Sequence, residues 1–287
     1  MDGIIIINKQ KNVTSHDIVH KAKKILNEKV GHTGTLDPNA TGVLPLLIGK
    51  GTEISKYIIN HDKIYEAELQ LGEKRDTADI EGKIIENKLV DENELQDENV
   101  KKVLKNLIGK QEQIPPIYSA IKVKGKKLYE YARSGENVEI KPRTIEIYNM
   151  ELIEIDRKNK IIRFRVNCSK GTYVRTLCED LAEKLNTVGY MKNLRRIQVG
   201  EFNIENSISL EQLENKEIFQ KNFITIEKYF EENQKIKLNE YKMKLFLNGV
   251  QLTYNLDDNI YKIYNTNNEF IGIGTVKNNL LKRDIII

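Results

Sequence analysis

The sequence has no tryptophan, only two cysteines and four histidines, and no long apolar run. Two cysteines cannot form a disulfide framework, and so few thiol and imidazole groups argue against a structural zinc site. The longest apolar runs, at residues 4–7 and 43–48, are much too short to span a bilayer. The start, Met-Asp-Gly, lacks the basic and apolar segments of a signal peptide. We therefore expect a cytoplasmic protein with no metal and no membrane segment.

The chain also has almost no excess of charge of either sign. The 287 residues include 46 Lys+Arg and 42 Asp+Glu, a net charge of +4, which neither indicates nor excludes nucleic-acid binding. This total averages two unlike parts, because residues 86–99 carry a net charge of −5 and leave +9 for the remainder. With 39% hydrophobic and 31% charged residues, the composition is that of a globular chain of one or two domains.

The spacing of apolar residues predicts strands and helices that do not alternate strictly. Strands are predicted over residues 3–8, 43–48, 63–71, 144–155 and 161–168, and helices over 15–27, 52–60, 92–107, 127–134 and 173–186. Ser15 and Thr172 are the predicted amino-terminal caps of the first and the last helix. The pattern favours an α+β fold with a mixed sheet over a doubly wound fold.

The pattern changes near residue 230. From about residue 234 onward it predicts short strands separated by Asn and Asp turns, in the segments KMKLFLNGV, NIYKIYN, EFIGIGTV and LLKRDIII. We predict a small all-β domain over residues 231–287, which follows a larger domain over residues 1–230.

Residues 31–42, GHTGTLDPNATG, form the most unusual loop of the sequence, and Asp37 is its only carboxylate. An aspartate before a proline is common in turns, while ordered loops often carry function, so both interpretations stay open. A phosphate-binding loop is excluded by the spacing, because no Ser or Thr follows Lys50.

A second candidate segment is NCSKGTYVRTL, residues 167–177. It places Tyr173 and Arg175 at the start of a predicted helix, where a partly buried aromatic and a structural ion pair are as plausible as a site. Cys168 and Cys178 are ten residues apart, which matches no metal motif, and are predicted to be core thiols.

Basic residues interleaved with tyrosines resemble a nucleic-acid surface, although a solvated charged face is the simpler alternative. The residues concerned are Lys122, Lys124, Lys126, Lys127, Lys141, Arg143, Lys192, Arg195 and Arg196, with Tyr118, Tyr129, Tyr131 and Tyr148.

Blocks of sequence from about residue 3 to 214 resemble, in order, the TruB family of tRNA pseudouridine synthases. They are IIINKQKNVTSHDIV, GHTGTLDPNATGVLPLLIGKGT, KIYEAELQLGEKRDTADIEG, QIPPIYSAIKVKGKKLYEYARSGENVEIKPRTIEIY, NCSKGTYVRTLCEDLAEKL and MKNLRRIQVGEF. Departures are modest: Asn39 stands where a leucine is usual, and residues 50–52 read Lys-Gly-Thr rather than Glu-Ala-Thr. Neither departure touches a matched catalytic position.

The resemblance implies isomerisation of one uridine in the TΨC loop of tRNA, conventional position 55, to pseudouridine. It implies a mixed-sheet pseudouridine-synthase catalytic domain that uses no metal or organic cofactor. The carboxy-terminal β segment occupies the place of the family's PUA-like RNA-binding domain.

The resemblance also implies site residues by motif position. Asp37 corresponds to the catalytic aspartate, Arg175 to the arginine that pairs with it, and Tyr65 to the tyrosine that stacks on the target base. Tyr173 and Leu194 correspond to residues that contact the substrate in the same pocket. His32 corresponds to a histidine that contacts the RNA around the flipped nucleotide.

Two rival interpretations remain: a guide-RNA-dependent relative that works within a protein–RNA particle, and a non-catalytic RNA-binding protein such as a tRNA-folding chaperone. The modest size and compact carboxy terminus favour a stand-alone enzyme, which we expect to be monomeric and to bind the T-arm of tRNA without guide RNA. The presence of Asp37, Tyr65 and Arg175 favours catalysis.

Overall fold

The computed structural model describes residues 1–287 and contains nineteen strands and eight α-helices. The strands are β1 Gly3–Lys9, β2 Val30–His32, β3 Thr41–Ile48, β4 Lys63–Leu71, β5 Glu73–Arg75, β6 Ile84–Asn87, β7 Gly109–Gln113, β8 Lys122–Val123, β9 Lys126–Lys127, β10 Arg143–Asp156, β11 Ile161–Cys168, β12 Gly189–Val199, β13 Phe202–Asn203, β14 Ile224–Thr225, β15 Lys235–Lys237, β16 Leu252–Thr253, β17 Asn259–Tyr264, β18 Phe270–Lys277 and β19 Leu280–Ile286. The helices are α1 Ser15–Leu26, α2 Ser55–Ile58, α3 Asp97–Asn106, α4 Leu128–Ser134, α5 Val174–Lys184, α6 Lys216–Asn222, α7 Ile226–Tyr229 and α8 Glu240–Leu247.

The predicted elements of the larger domain are present with small changes of boundary. The helix predicted over residues 92–107 is divided into a 3₁₀ turn, Glu92–Leu95, and α3. The one predicted over 52–60 consists of a 3₁₀ turn, Gly49–Ile54, that leads into α2.

A ten-stranded sheet organises this domain, in the order β14-β1-β3-β12-β4-β11-β10-β7, with β2 beside β3 and β13 beside β12. All of its pairs are antiparallel except β3–β12, which is parallel. The predicted mixed sheet in an α+β fold is therefore confirmed.

One face of β4 builds the largest core. Ala67, Leu69 and Leu71 are buried there, and Tyr65 packs against the same cluster, as the alternation of residues 63–71 predicts. Helices α3 and α5 cover this face, and burial of each large apolar side chain stabilises the fold by about 1.5–3 kcal/mol. Cys168 and Cys178 are free thiols within the same core, as predicted.

The predicted cap of α1 is wrong by one residue. Thr14 is the cap, since its hydroxyl accepts a hydrogen bond from the Asp17 N–H and the Asp17 carboxylate accepts one from the Thr14 N–H. Ser15 is the first helical residue and is buried, so its hydroxyl is left for a contact described below.

The predicted cap of α5 is wrong as well. Tyr173 occupies the cap position without a side-chain hydrogen bond to the helix, while the Thr172 hydroxyl donates to the Ser169 carbonyl. One face of α5 is buried through Val174, Leu177 and Leu181, and Leu185 just after the helix is buried as well.

A second sheet of five strands, in the order β15-β17-β18-β19-β16, follows at the carboxy terminus. The prediction of a strand in KMKLFLNGV is wrong: residues 242–247 of this segment belong to α8, whose first turn is capped by the side chain of Asn239. Ile273 and Ile285 of this sheet share an apolar cluster with Ile54, Ile58 and Phe230 of the larger domain. None of the eight helices combines the length and the apolar character needed to cross a bilayer.

Candidate active site

Asp37 lies in the segment that connects β2 and β3. Its backbone carbonyl accepts a hydrogen bond from the Ala40 N–H at 3.0 Å, which closes a turn through Pro38. The turn interpretation of Asp37 is thus correct for the backbone. The carboxylate takes no part in the turn and faces two cavities.

Two buried polar side chains hold this segment from outside it. The Lys9 ammonium of β1 donates to the carbonyl oxygens of Pro38 at 2.9 Å and Ala40 at 2.6 Å. The Ser15 hydroxyl of α1 donates to the Leu36 carbonyl at 3.2 Å and accepts from the Leu36 N–H at 3.0 Å. The backbone on both sides of Asp37 is therefore fixed by the first strand and the first helix.

The Asp37 carboxylate is paired with Arg175 of α5. Arg175 Nε lies 3.1 Å from Asp37 Oδ2, and Nη1 lies 3.6 Å from Asp79 Oδ2, so one guanidinium bridges two carboxylates. Nη2 donates to the Tyr118 carbonyl at 3.0 Å. Arg175 is 5% exposed, and its position is therefore set by several contacts. The structure places Arg175 beside Asp37, as the resemblance implies, while their catalytic roles stay predictions.

Two cavities meet at this pair. The larger, about 210 Å³, is lined by Asp79, Tyr118 and Arg133 among others, and the smaller, about 100 Å³, by Tyr65 and Tyr173. Both are lined in addition by Asp37, Arg175, Met191 and Leu194. The structure thus brings five of the six predicted site residues together.

Tyr65 and Tyr173 enter the smaller cavity from a strand and from a helix start. Tyr65 lies opposite Val166 of β11 and Arg196 of β12 in the register of the sheet. The backbone of Tyr173 is held at both ends by the Gln113 amide, which accepts from its N–H at 2.8 Å and donates to its carbonyl at 3.1 Å. Burial raises the pKa of both tyrosine hydroxyls above the ordinary value.

His32 is the predicted site residue that the structure does not bring to the pair. It lies in β2 and lines neither cavity. Its Nδ1 is buried without a hydrogen-bond partner, and burial, followed by the charges of Arg196 and His16, lowers the pKa of the imidazole.

Opposing influences act on the pKa of the Asp37 carboxyl. Burial raises the pKa of this carboxyl, Arg175 lowers it, Asp79 raises it, and Lys9 lowers it, with burial the largest influence. Although 39% of the side chain is accessible from the open cavities, protein surrounds the carboxyl on the remaining sides, and its pKa lies above the ordinary value. The Arg175 guanidinium favours the ionised form of Asp37 but does not fully offset burial.

The prediction of a basic surface is correct for the β8–β9 hairpin and wrong for Arg196. Lys122 and Lys124 are exposed on the β8–β9 hairpin, and the ammonium of Lys126 lies 4.7 Å from the ring centre of Tyr131. Arg133 on the following helix reaches the larger cavity. Arg196, however, is only 1% exposed and belongs to the interior.

Sequence reasoning missed the residues that support the pair: Lys9, Ser15, Gln113 and Asp79. The first three act on backbone atoms 21 to 60 residues away, which no local spacing indicates. Asp79 lies in RDTAD, residues 75–79, where two carboxylates close together in sequence are a usable signal. The structure contains no group of three or more His, Cys, Asp or Glu side chains that could hold a metal ion.

Comparison with known proteins identifies this sheet as that of a pseudouridine-synthase catalytic domain. Residues 23–174 match the model of the TruB family pseudouridylate synthase amino-terminal domain, and residues 175–235 match the tRNA pseudouridylate synthase B carboxy-terminal domain. The chain belongs to the TruB family of pseudouridylate synthases.

Curated relatives support this placement. The chain is 42% identical over 284 residues to tRNA pseudouridine synthase B of Clostridium kluyveri, covering 96% of each chain. It is 43% identical over 281 residues to the protein of the same name from Caldanaerobacter subterraneus subsp. tengcongensis, again covering 96% of each.

Solved structures resemble the whole chain. A Cbf5–Nop10–Gar1 complex contains a chain with a TM-score of 0.70 and 25% identity, which covers 99% of this protein and 83% of that chain. An H/ACA ribonucleoprotein bound to a substrate RNA containing 2′-deoxyuridine gives 0.69 and 23% identity, covering 99% and 85%. The second likeness supports the fold alone.

Proposed function

We propose that this protein isomerises one uridine in the TΨC loop of tRNA, at conventional position 55, to pseudouridine. Its family is that of pseudouridylate synthases, and its curated relatives are named tRNA pseudouridine synthase B. The observation that carries the proposal is the Asp37–Arg175 pair at the junction of two cavities, beside Tyr65.

The reaction needs a carboxylate, a dry pocket and a hold on a detached base. The N1–C1′ bond breaks, the uracil turns, a C5–C1′ bond forms, the C5 proton leaves and N1 gains a proton, so no net redox change or energy input is required. Asp37 can attack C1′, attack C6 of the base, or support a glycal route by removing a proton. All three are compatible with the position of the carboxylate.

Arg175 keeps this carboxylate in place and favours its ionised form. A permanent cation 3.1 Å away opposes the rise in pKa that burial produces. Because Arg175 itself is buried, loss of either partner leaves a poorly compensated charge in the pocket.

The target uridine must leave its RNA stack before Asp37 can reach it. Unstacking costs a few kcal/mol, and stacking on the face of Tyr65 returns about 1–3 kcal/mol. The Tyr65 hydroxyl is suited to take part in proton removal from C5, while Tyr173 and Leu194 form further walls around the base. His32, outside the cavities, is proposed to contact the RNA that surrounds the flipped nucleotide.

The RNA itself is proposed to lie over the basic β8–β9 hairpin and α4, because α4 contributes a cation to the larger cavity. Arg133 lines that cavity, and Lys127 and Arg133 both lie over the ring of Tyr129, at 5.3 and 5.4 Å from its centre. Phosphate contacts from such residues position RNA without reading its sequence. We divide the chain into a catalytic domain, residues 1–230, and a PUA-like domain, residues 231–287, which provides further RNA contacts.

The protein is proposed to act as a cytoplasmic monomer without guide RNA or cofactor. The test is to incubate purified protein with a minimal unmodified T-arm hairpin, with no guide RNA, and to map pseudouridine. Site-specific product supports the proposal. Product that appears only when guide RNA is added, or binding of the hairpin without product, overturns it in favour of a guide-dependent enzyme or an RNA-binding protein.

A further inference from the structure

Arg196 of β12 is a fully buried cation without a carboxylate partner. It is 1% exposed and the largest of the fully buried side chains, and it takes part in none of the ion pairs of the protein. Burial of a charge is costly unless hydrogen bonds satisfy it, so the partners of this guanidinium matter.

The guanidinium is held by backbone carbonyls on both sides of Asp37. Its Nε donates to the Val43 carbonyl and its Nη2 to the Gly34 carbonyl, each at 2.8 Å. One side chain thus closes the loop that carries Asp37, from three residues before it to six residues after it.

Two glycines of the loop lie close to Arg196, one to its guanidinium and one to its backbone. Gly34 has a φ of +74°, and a Cβ atom built on it would lie 3.3 Å from Nη1 of Arg196. The backbone of Arg196 pairs with Gly42 in the parallel β3–β12 contact, where a Cβ on Gly42 would lie 2.1 Å from the Arg196 carbonyl oxygen. Gly42 is therefore required by the close approach of the β12 backbone at residue 196, and Gly34 by its positive φ, with the Arg196 guanidinium in close contact beside it.

Arg196 also lies directly opposite Tyr65 in the antiparallel register of β12 and β4, which places the two side chains on one face of the sheet. Besides burial, three groups act on the pKa of the Tyr65 hydroxyl: Arg196 of β12, Cys168 of β11 and Asp37 of the loop. Arg196 alone of these lowers the pKa of the hydroxyl, against burial and the other two.

We propose that Arg196 is a positioning residue of the active site, which closes the Asp37 loop and directs its positive charge at the Tyr65 hydroxyl. The inference rests on the roles proposed above for Asp37 and Tyr65. Arg196 is expected to act on the chemical step rather than on RNA binding, because it lines neither cavity and the RNA cannot touch it.

The test compares Arg196→Met and Arg196→Lys with Arg157→Met as control, since Arg157 is exposed and pairs with Asp97 at the far end of β10. Three quantities are measured: the single-turnover rate at saturating T-arm hairpin, the Kd for the hairpin, and the pKa of Tyr65 from carbon-13 tyrosine spectra. For Arg196→Met we expect the rate to fall about 10²-fold with the Kd unchanged and the Tyr65 pKa raised. Arg196→Lys keeps the charge and is expected to recover part of the rate and of the pKa.

An unchanged rate in folded Arg196→Met, a Tyr65 pKa equal to that of the wild type, or a loss confined to the Kd would each overturn the inference. Should Arg196→Met not fold, Arg196→Lys decides alone: a wild-type rate and a wild-type Tyr65 pKa contradict the proposal, and a reduced rate with a shifted pKa supports it. Failure of the proposed function is distinguishable from failure of this inference, because the wild type would then form no pseudouridine. The titration of Tyr65 would still test the effect of Arg196.

Discussion

Arg175 Nε lies 3.1 Å from Asp37 Oδ2, while Nη1 of the same guanidinium lies 3.6 Å from Asp79 Oδ2. A single buried cation is therefore shared by two carboxylates of unequal surroundings, since 39% of the Asp37 side chain is accessible and only 16% of the Asp79 side chain. The more accessible carboxylate faces both cavities and is the one suited to react. The less accessible carboxylate, that of Asp79, raises the pKa of Asp37.

Removal of the charge of Asp79 is expected to move the pH dependence of the reaction. Asp79 raises the pKa of Asp37, whose ordinary value is 3.8, so Asp79→Asn lowers that pKa. Because the reaction needs the carboxylate, the acidic limb of kcat/KM moves to lower pH in this variant. Glu81→Gln is the control, since Glu81 lines the same cavity without acting on the pKa of Asp37. An acidic limb that stays in place or moves upward contradicts this assignment.

Removal of the Tyr65 hydroxyl tests its role in proton transfer separately from the role of the ring in stacking. Tyr65→Phe keeps the ring and is expected to leave the Kd for the hairpin unchanged, while the single-turnover rate falls by about 10²-fold or more. Tyr261→Phe removes a hydroxyl that donates to the Asp257 carbonyl in the second sheet, and should leave the rate intact. A wild-type rate for Tyr65→Phe would refute the role of the hydroxyl.

Two neighbouring hydroxyls at the start of α1, those of Thr14 and Ser15, are expected to differ in their effect on catalysis. Thr14→Ala removes a helix cap and costs about 1 kcal/mol of stability with no effect on the rate. Ser15→Ala leaves the Leu36 N–H and carbonyl without their partner, costs about 1–3 kcal/mol, and loosens the backbone next to Asp37. Denaturant unfolding and single-turnover rates, measured side by side, should show a reduced rate only for Ser15→Ala. Equal rates would mean that Ser15 serves stability alone.

Lys9 is expected to make the stability of the protein depend on alkaline pH. Burial lowers the pKa of this ammonium to about 8 from an ordinary 10.5, so between these values the unfolded chain binds more protons than the native protein. The free energy of unfolding contributed by Lys9 therefore rises from pH 8 to 10.5, by up to about 3 kcal/mol. In Lys9→Met this rise is missing, and the difference between wild type and variant, from urea unfolding at several pH values, measures it. A difference that is constant with pH would contradict the expectation.

The parts of the site that could be predicted are those in contiguous motifs. Asp37, Tyr65 and Arg175 each lie in a short segment whose residues resemble a known family, and the alternation of β4 places Tyr65 on the core face. Their supports could not be found in the same way, because the Lys9 ammonium and the Arg196 guanidinium bind backbone carbonyls, which every residue has. Only the folded chain selects which carbonyls these cations reach.

The burial of Arg196 shows a second limit to what the sequence predicts. In sequence Arg196 follows Arg195 and lies near Lys192, and it is therefore counted with a basic surface. Successive side chains of β12 point to opposite faces of the sheet, so Arg195 is exposed and Arg196 points inward. The segment KMKLFLNGV shows a third limit, because a short apolar run fits a strand or a buried helix equally well. The Asn239 cap, just before the segment, was the signal that favoured α8.

The central claim is that Asp37 performs the chemistry, and single-turnover formation of pseudouridine in a T-arm hairpin by Asp37→Asn tests it most directly. The substitution keeps the shape of the side chain and removes its charge, and Glu81→Gln in the same cavity serves as the matched control. We predict no product from Asp37→Asn, with hairpin binding retained, and product at the wild-type rate from Glu81→Gln. Pseudouridine formed by purified Asp37→Asn at a rate near that of the wild type would contradict the account.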